Sequence, residues 1–313
     1  MITRAAIVGM GTMGPGMAAT LARAGIDVRC YDVSDAAMAR VPLEVAIASG
    51  VLDRIHGEPA ASPGTVSVHG DLAGTVQDAE LVIESVPENA DVKAAVFDDI
   101  ESHAPAAAIL ATNTSGIPVT TIQEPLQNPA RVIGMHWSNP PHVIPVIEVI
   151  AGERTSAETV ESLRSLIADL RLTSVRVLKD VPGFVENRVL YAIMRECLSL
   201  VDNGVVSAEE LDACVQWGIG FKLSVIPPLQ LLDVAGLDIY HAVASYLNRD
   251  LDSRADVSET ITERVKAGNL GMKTGSGMFD YTAEQAQELR MARASKLIAV
   301  RQAIGGGASA KEA

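Results

Sequence analysis

Segment 131–150, RVIGMHWSNPPHVIPVIEVI, holds the residues best suited to proton chemistry. It reads as two apolar strands joined by a polar turn around Pro140-Pro141, with His136 before the turn and Glu148 after it. Each lies six residues from His142. A symmetric antiparallel hairpin would therefore set them opposite one another, with Cβ atoms about 4.5–5.5 Å apart. Each also interrupts an otherwise apolar run. A carboxylate facing an imidazole fixes its tautomer and ring orientation, so the pair suits a general base and acid. A structural ion pair is the other reading, and this segment alone leaves both open. No cysteine or acid accompanies His136 and His142 at ligand spacing, so a metal site is set aside.

The elements that would position such a pair start at the N-terminus. Residues 5–8 form a short apolar strand, followed by Gly9-Met10-Gly11-Thr12-Met13-Gly14 and a helical pattern over about 13–24. Strand, glycine triplet and helix in that order suit a dinucleotide. The glycines permit a tight turn, close approach of pyrophosphate to the backbone, and close packing of helix on strand. The helix N-terminus adds unpaired N–H groups and the positive end of its dipole. A second strand ends at Asp32, 18 residues after Gly14, where a carboxylate accepts from ribose hydroxyls and repels a 2′-phosphate. The next arginine is Arg40, so NAD is expected rather than NADP.

Short strands near 4–9, 27–32, 65–69, 80–84, 108–112, 131–137, 143–150 and 174–178 alternate with helices near 13–24, 35–50, 91–102 and 156–170. Such alternation predicts an α/β fold, a Rossmann-type, mostly parallel sheet over residues 1–182 with the 131–150 hairpin as an antiparallel addition. After Asp180-Val181-Pro182-Gly183 strand signals nearly vanish, and helices are expected near 184–203, 207–217, 226–234, 237–249, 257–267 and 283–303. Residues 183–303 thus read as an all-helical substrate and dimerisation domain, and 304–313 as a flexible tail. Helices apolar on more than one face, such as 184–203, need a covering surface, and a homodimer through this domain is the simplest supply.

Composition fits an enzyme with two cored domains: 313 residues, 48% apolar and 20% charged. A net charge of -14 argues against nucleic acid or an anionic membrane as partner. There is no apolar run of membrane-spanning length and no signal-like start. Cys30, Cys197 and Cys214 form no metal-spaced pair, which suits a reducing cytoplasm.

In order along the chain stand the Gly9–Gly14 loop with Asp32; ESVPEN at 84–89 with Lys93; and NTSGIP at 113–118. GMHWSNPP at 134–141 with Glu148, DVPGFVENRVL at 180–190 and GNLGMKTGSGMFDY at 268–281 follow. Together they make the chain resemble the 3-hydroxyacyl-CoA dehydrogenase family over nearly its full length. The resemblance implies an NAD-dependent oxidoreductase in which His136 takes the hydroxyl proton and Glu148 orients it. Ser115 and Asn187 would hold the substrate oxygen and position the histidine. Gly9, Gly11, Thr12, Met13, Gly14, Asp32, Pro87, Glu88, Lys93 and Asn113 would line the cofactor, with Glu88 and Lys93 on its nicotinamide side. Blander readings exist: Ser115 could cap the segment from Ile117, and Asn187 could be a surface residue. Lys93 could be a solvated helix lysine, and Glu88 a first-turn acid complementing a dipole.

Two departures bear on substrate. Coenzyme A-binding members resemble one another in a lysine-rich extension after the second strand. Here residues 33–70 carry only Arg40 and Arg54 against Asp35, Glu44, Asp53 and Glu58, a poor surface for phosphates. After the histidine stand Trp137, Ser138 and His142, and WGIGFK lies at 217–222. Trp137, Ser138 and His142 suggest a compact polar or ring-bearing substrate, unless Trp137 packs under the hairpin and His142 is solvated at the turn. The HWSNPPH block and WGIGFK resemble a branch of the family acting on a pyridine-carboxylate aldehyde, which leads. The alternatives are a short-chain 3-hydroxyacyl-CoA, a carnitine- or gulonate-type hydroxy acid, and a non-catalytic nucleotide-binding relative.

Overall fold

The computed structural model describes residues 2–59 and 62–305, so most of the expected tail lies outside the described residues. Eight strands form one sheet: β1 (Arg4–Val8), β2 (Asp27–Tyr31), β3 (Val66–Val68), β4 (Leu81–Glu84), β5 (Ile109–Thr112), β6 (Val132–Trp137), β7 (Val146–Ala151) and β8 (Thr173–Val177). Their order is β3-β2-β1-β4-β5-β6-β7-β8. Pairing is parallel from β3 to β6, antiparallel between β6 and β7, and parallel between β7 and β8. All eight expected strands form, and the hairpin is the expected antiparallel addition.

The first six helices are α1 (Gly14–Arg23), α2 (Asp35–His56), α3 (Leu72–Val76), α4 (Ala90–His103), α5 (Val119–Gln123) and α6 (Ala157–Asp169). Ser34, Asn89 and Ser156 cap α2, α4 and α6 by accepting from the N–H three residues on, as short polar side chains do. Helix α2 runs past Gly50, its expected end, because that glycine has open space and costs only propensity. Helices α3 and α5 have five residues each, too few to register a 3.6-residue period.

Alternation along the strands sorts side chains onto two covered faces. Met135, Trp137, Ile147 and Val149 pack on one face with Met17 and Leu21 of α1 and Leu163 and Ile167 of α6. Val132, Leu110 and Ile150 pack on the other with Phe97 and Ile100 of α4, Val119 of α5, and Phe184. His136 and Glu148 belong by parity to this second face. The strand order reverses at β1, between β2 and β4, so the loops after β1 and β4 meet where doubly wound sheets bind ligands.

The chain divides into two compact units, one built on Met1–Arg188 joined by the stretch from Leu297, the other Val189–Lys296. Beyond the sheet come α7 (Glu186–Asp202), α8 (Ala208–Cys214), α9 (Phe221–Leu223), α10 (Pro228–Ala235), α11 (Leu237–Leu247), α12 (Glu259–Lys266) and α13 (Ala283–Ala303). The helix expected over 207–217 instead widens into a π-turn at Val215–Gly220. In the second unit Asp202 accepts from Ser258, Thr260 and Arg254, tying the end of α7 to the start of α12.

Gly9 has φ +106°, and a Cβ there would lie 2.5 Å from the Ser85 carbonyl atoms. Gly9→Ala should lower the unfolding free energy by about 2–3 kcal/mol, read from urea denaturation.

Candidate active site

His136 and Glu148 are register partners across β6 and β7. His136 Nδ1 lies 2.8 Å from Glu148 Oε2, with the two residues 6% and 2% exposed. The other carboxylate oxygen, Oε1, accepts from the backbone N–H groups of Val185 (2.8 Å) and Glu186 (3.2 Å). Burial pushes the Glu148 carboxyl up, but the bonds from His136, Val185 and Glu186 outweigh it and hold the group below its ordinary value. An ionised carboxylate only accepts, so Nδ1 carries the proton and Nε2 is left to exchange one. Gly183 (φ +76°) and Phe184 (φ +49°) form the left-handed turn that aims those N–H groups. The Phe184 ring packs 5.8 Å from the imidazole, tilted by 55°.

Ser115 and Asn187 come together: Asn187 Nδ2 donates to the Ser115 carbonyl at 2.8 Å. Helix α5 begins after Pro118, so Ser115 is no cap. Its loop is held instead by Glu88 Oε1, which accepts from Thr114 Oγ1 (2.6 Å), Ser115 N–H and Gly116 N–H (3.0 Å each). Glu88 therefore does far more than complement a helix dipole. Partial burial raises its carboxyl, yet the Thr114 bond, the Lys93 charge and the two N–H groups bring it below its ordinary value.

Lys93 is not solvated: it is 1% exposed, with Nζ 2.7 Å from Glu84 Oε1 and 3.5 Å from Glu88 Oε2. Glu84 Oε2 in turn accepts from Thr112 Oγ1 at 2.7 Å. Sequence reasoning passed over Glu84; its signal was an acid closing the buried run Leu81-Val82-Ile83. Asn113 Oδ1 accepts from Trp137 N–H at 2.9 Å, and its Nδ2 donates to Ser85 Oγ at 3.2 Å. The Pro87 carbonyl accepts from Asn89 N–H, shaping the turn into α4.

Glu186 was also missed, and with it the bond it makes to Ser138. Ser138 Oγ donates to Glu186 Oε1 at 2.6 Å. One ligand atom each of His136, Glu148 and Glu186 lies within 4.8 Å of the others, a cluster able to hold a cation. Spacing could not reveal it, because Glu186 arrives from the start of α7. Of the two readings of Trp137, the packed one holds: at 1% exposure it faces the core on the side of the sheet opposite His136, so it offers no surface to a substrate there. His142 also turns away, its ring so close to α1 that a Cβ on Gly16 would lie 2.7 Å from Nδ1.

The opening loop fits a dinucleotide. A Cβ on Gly14 would meet the Gly9 carbonyl at 2.7 Å, whereas one on Gly11 would meet nothing within 4 Å, which leaves that side of the loop open. Helix α1 has no side-chain cap and no acid in its first turn, so the N–H groups after Thr12 and Met13 are available to phosphate. Asp32 Oδ2 accepts from Met10 N–H (2.7 Å) and Oδ1 from Ser34 N–H (2.8 Å), which splints the loop and leaves lone pairs for ribose hydroxyls.

This fold and constellation define a dehydrogenase with a dinucleotide on its sheet edge. The chain belongs to the 3-hydroxyacyl-CoA dehydrogenase family, matching its NAD-binding domain over residues 4–181 and its C-terminal domain over 183–281. It is an NAD-dependent oxidoreductase. Within the family it is 52% identical over 307 residues to the 5-formyl-3-hydroxy-2-methylpyridine 4-carboxylate 5-dehydrogenase of Mesorhizobium japonicum, covering 98% of this chain and 99% of that one. A crystal structure of such an enzyme, an NAD+-dependent dismutase, matches with TM-score 0.95 and 51% identity over 98% of this chain and 99% of that chain. A probable 3-hydroxybutyryl-CoA dehydrogenase of Bacillus subtilis is 36% identical over 280 residues, 88% of this chain and 96% of that one.

Lys93→Met would strand a buried Glu84 carboxylate and should cost about 3–5 kcal/mol in urea unfolding. Glu148 is held below its ordinary value of 4.5, so the stability it confers is complete above that pH and lost as pH falls through the lowered value. The stability gap between the native chain and Glu148→Gln should therefore be widest above pH 4.5 and narrow on acidification.

Proposed function

We propose that this enzyme acts on 5-formyl-3-hydroxy-2-methylpyridine 4-carboxylate, oxidising the hydrated aldehyde to the acid and reducing a second aldehyde to the alcohol. The observation that carries this reading is the buried 2.8 Å bond between His136 and Glu148, in a chain 52% identical to a dehydrogenase of that aldehyde. Bound NAD supplies the hydride acceptor. In the oxidative half, His136 Nε2 takes the proton of one hydrate hydroxyl as the carbinol C–H bond breaks, which leaves the acid. In the reductive half, the same imidazolium returns its proton to the oxygen of a second aldehyde as that carbon gains the hydride. The sum is two aldehydes and one water giving one acid and one alcohol, with NAD regenerated.

Glu148 keeps the proton on Nδ1 and holds the ring still through both halves. The Ser115 hydroxyl, on an exposed residue whose backbone is fixed by Glu88 and Asn187, is assigned to the substrate oxygen. The opening loop and Asp32 would hold pyrophosphate and ribose, and Pro87, Glu88 and Asn113 would border the nicotinamide, with Lys93 bracing Glu88 from beneath. A non-CoA substrate follows from the stretch after β2: Arg40 bonds Glu44 at 3.2 Å, leaving little for coenzyme phosphates.

The second unit is assigned to self-association as a homodimer. Helices α10 and α11 expose Leu229, Val234, Leu237, Ile239 and Tyr246, each between 57% and 76%. Contiguous apolar surface of this kind marks an interface. Three free cysteines suit a cytoplasmic setting, and no described helix is long and apolar enough to cross a membrane.

Incubation with the pyridine aldehyde and catalytic NAD should give acid and alcohol in equal amounts by NMR. A preference for acetoacetyl-CoA with NADH would instead establish the acyl-CoA reading. His136→Ala should lower kcat by about 10²–10⁴-fold while NAD affinity is kept, read by stopped-flow and fluorescence titration. Light scattering on the eluting protein should give twice the chain mass of 32.9 kDa, and Leu229→Glu with Ile239→Glu should halve it.

A further inference from the structure

On the side of the sheet away from His136, the first unit holds a partly open cavity of about 370 Å³. Its walls come from the ends of α1 and α2, the 169–172 turn after α6, the Pro141-His142 corner of the catalytic hairpin, and Arg301. Arg301 is 4% exposed. One of its terminal nitrogens donates to the Val143 carbonyl at 2.7 Å, and the other faces His56 Nε2 at 3.1 Å. Its Nε has no partner among the described residues, and neither does His142 Nδ1. No described carboxylate pairs with Arg301 either. A guanidinium stays charged even when buried, so a neutral carbonyl and an imidazole leave it short of counter-charge.

The remaining lining charges point the same way. Arg23 is engaged by Asp53, while Arg171 also lines the cavity. The two acids on the wall, Glu58 and Asp169, are exposed, whereas Arg301 is the most buried charge present. Burial first, then the charges of Arg301, Arg23 and Arg171, push the His56 pKa down.

We propose that this cavity binds a small oxyanion, a carboxylate or an inorganic phosphate or sulfate, between Arg301, His142, His56 and Arg171. Its volume, near the low end of ligand pockets, suits an anion of one ring or less. The planar fork of Arg301, with its unpartnered Nε, suits the paired oxygens of either group.

The test is isothermal titration of the NAD-saturated enzyme, so that the dinucleotide site is filled, with sulfate, phosphate and acetate at matched ionic strength. At least one should bind saturably at one site per chain, and Arg301→Gln should weaken it at least tenfold. Tighter phosphate or sulfate identifies an inorganic ligand, and tighter acetate a carboxylate. Should Arg301→Gln fail to fold, the double variant Arg171→Gln/His56→Asn, at two exposed positions, should weaken binding at least threefold. No saturable heat from any of the three probes overturns the proposal. So does undiminished affinity in folded Arg301→Gln, or in the double variant where that one does not fold.

Discussion

A carboxylate buried at 2% exposure is the constraint around which this molecule is arranged. Removing an ionised group from water costs several kcal/mol unless its lone pairs are met, and a partial match leaves most of that cost in place. Glu148 meets the condition with donors from two directions, an imidazole across the hairpin and two N–H groups after a left-handed turn. Neither set suffices without the other. The histidine's orientation and the left-handed turn at Gly183-Phe184 both answer that one electrostatic requirement.

The same requirement recurs at the neighbouring strand ends. Glu84 ends β4 inside the protein and is met by Lys93 and Thr112; Glu88 reaches the Ser115 loop and is met by Lys93, Thr114 and two N–H groups. These carboxylates fasten the loops after β4 and β5 to each other. The glycine loop joins them through Gly9, whose contact with Ser85 admits no side chain. A cofactor edge assembled from saturated acids and close backbone approaches is pre-organised, so little ordering remains to be done on binding.

Much of this was legible in the sequence, and the exceptions have physical causes. The pairing of His136 with Glu148 follows from a symmetric turn, and the eight strands from hydrophobic alternation, both local properties. Trp137 was left open although strand parity decides it: neighbours on a strand face opposite ways, so Trp137 cannot share the face of His136. Lys93, Glu84 and Glu186 lay beyond a linear reading, since their burial and partners depend on elements brought together only by the fold. The π-turn at Val215–Gly220 looks like ordinary helix because its apolar spacing differs by a single residue per turn.

Gly16 carries a consequence of its own. It lets the backbone of α1, the helix that follows the glycine loop, rest directly on the His142 ring and Pro141 with no side chain between. Contact without a spacer has no slack. A shift of this helix would thereby press on the corner that joins the strands of His136 and Glu148, so the glycine loop and that buried pair are coupled as a single lever.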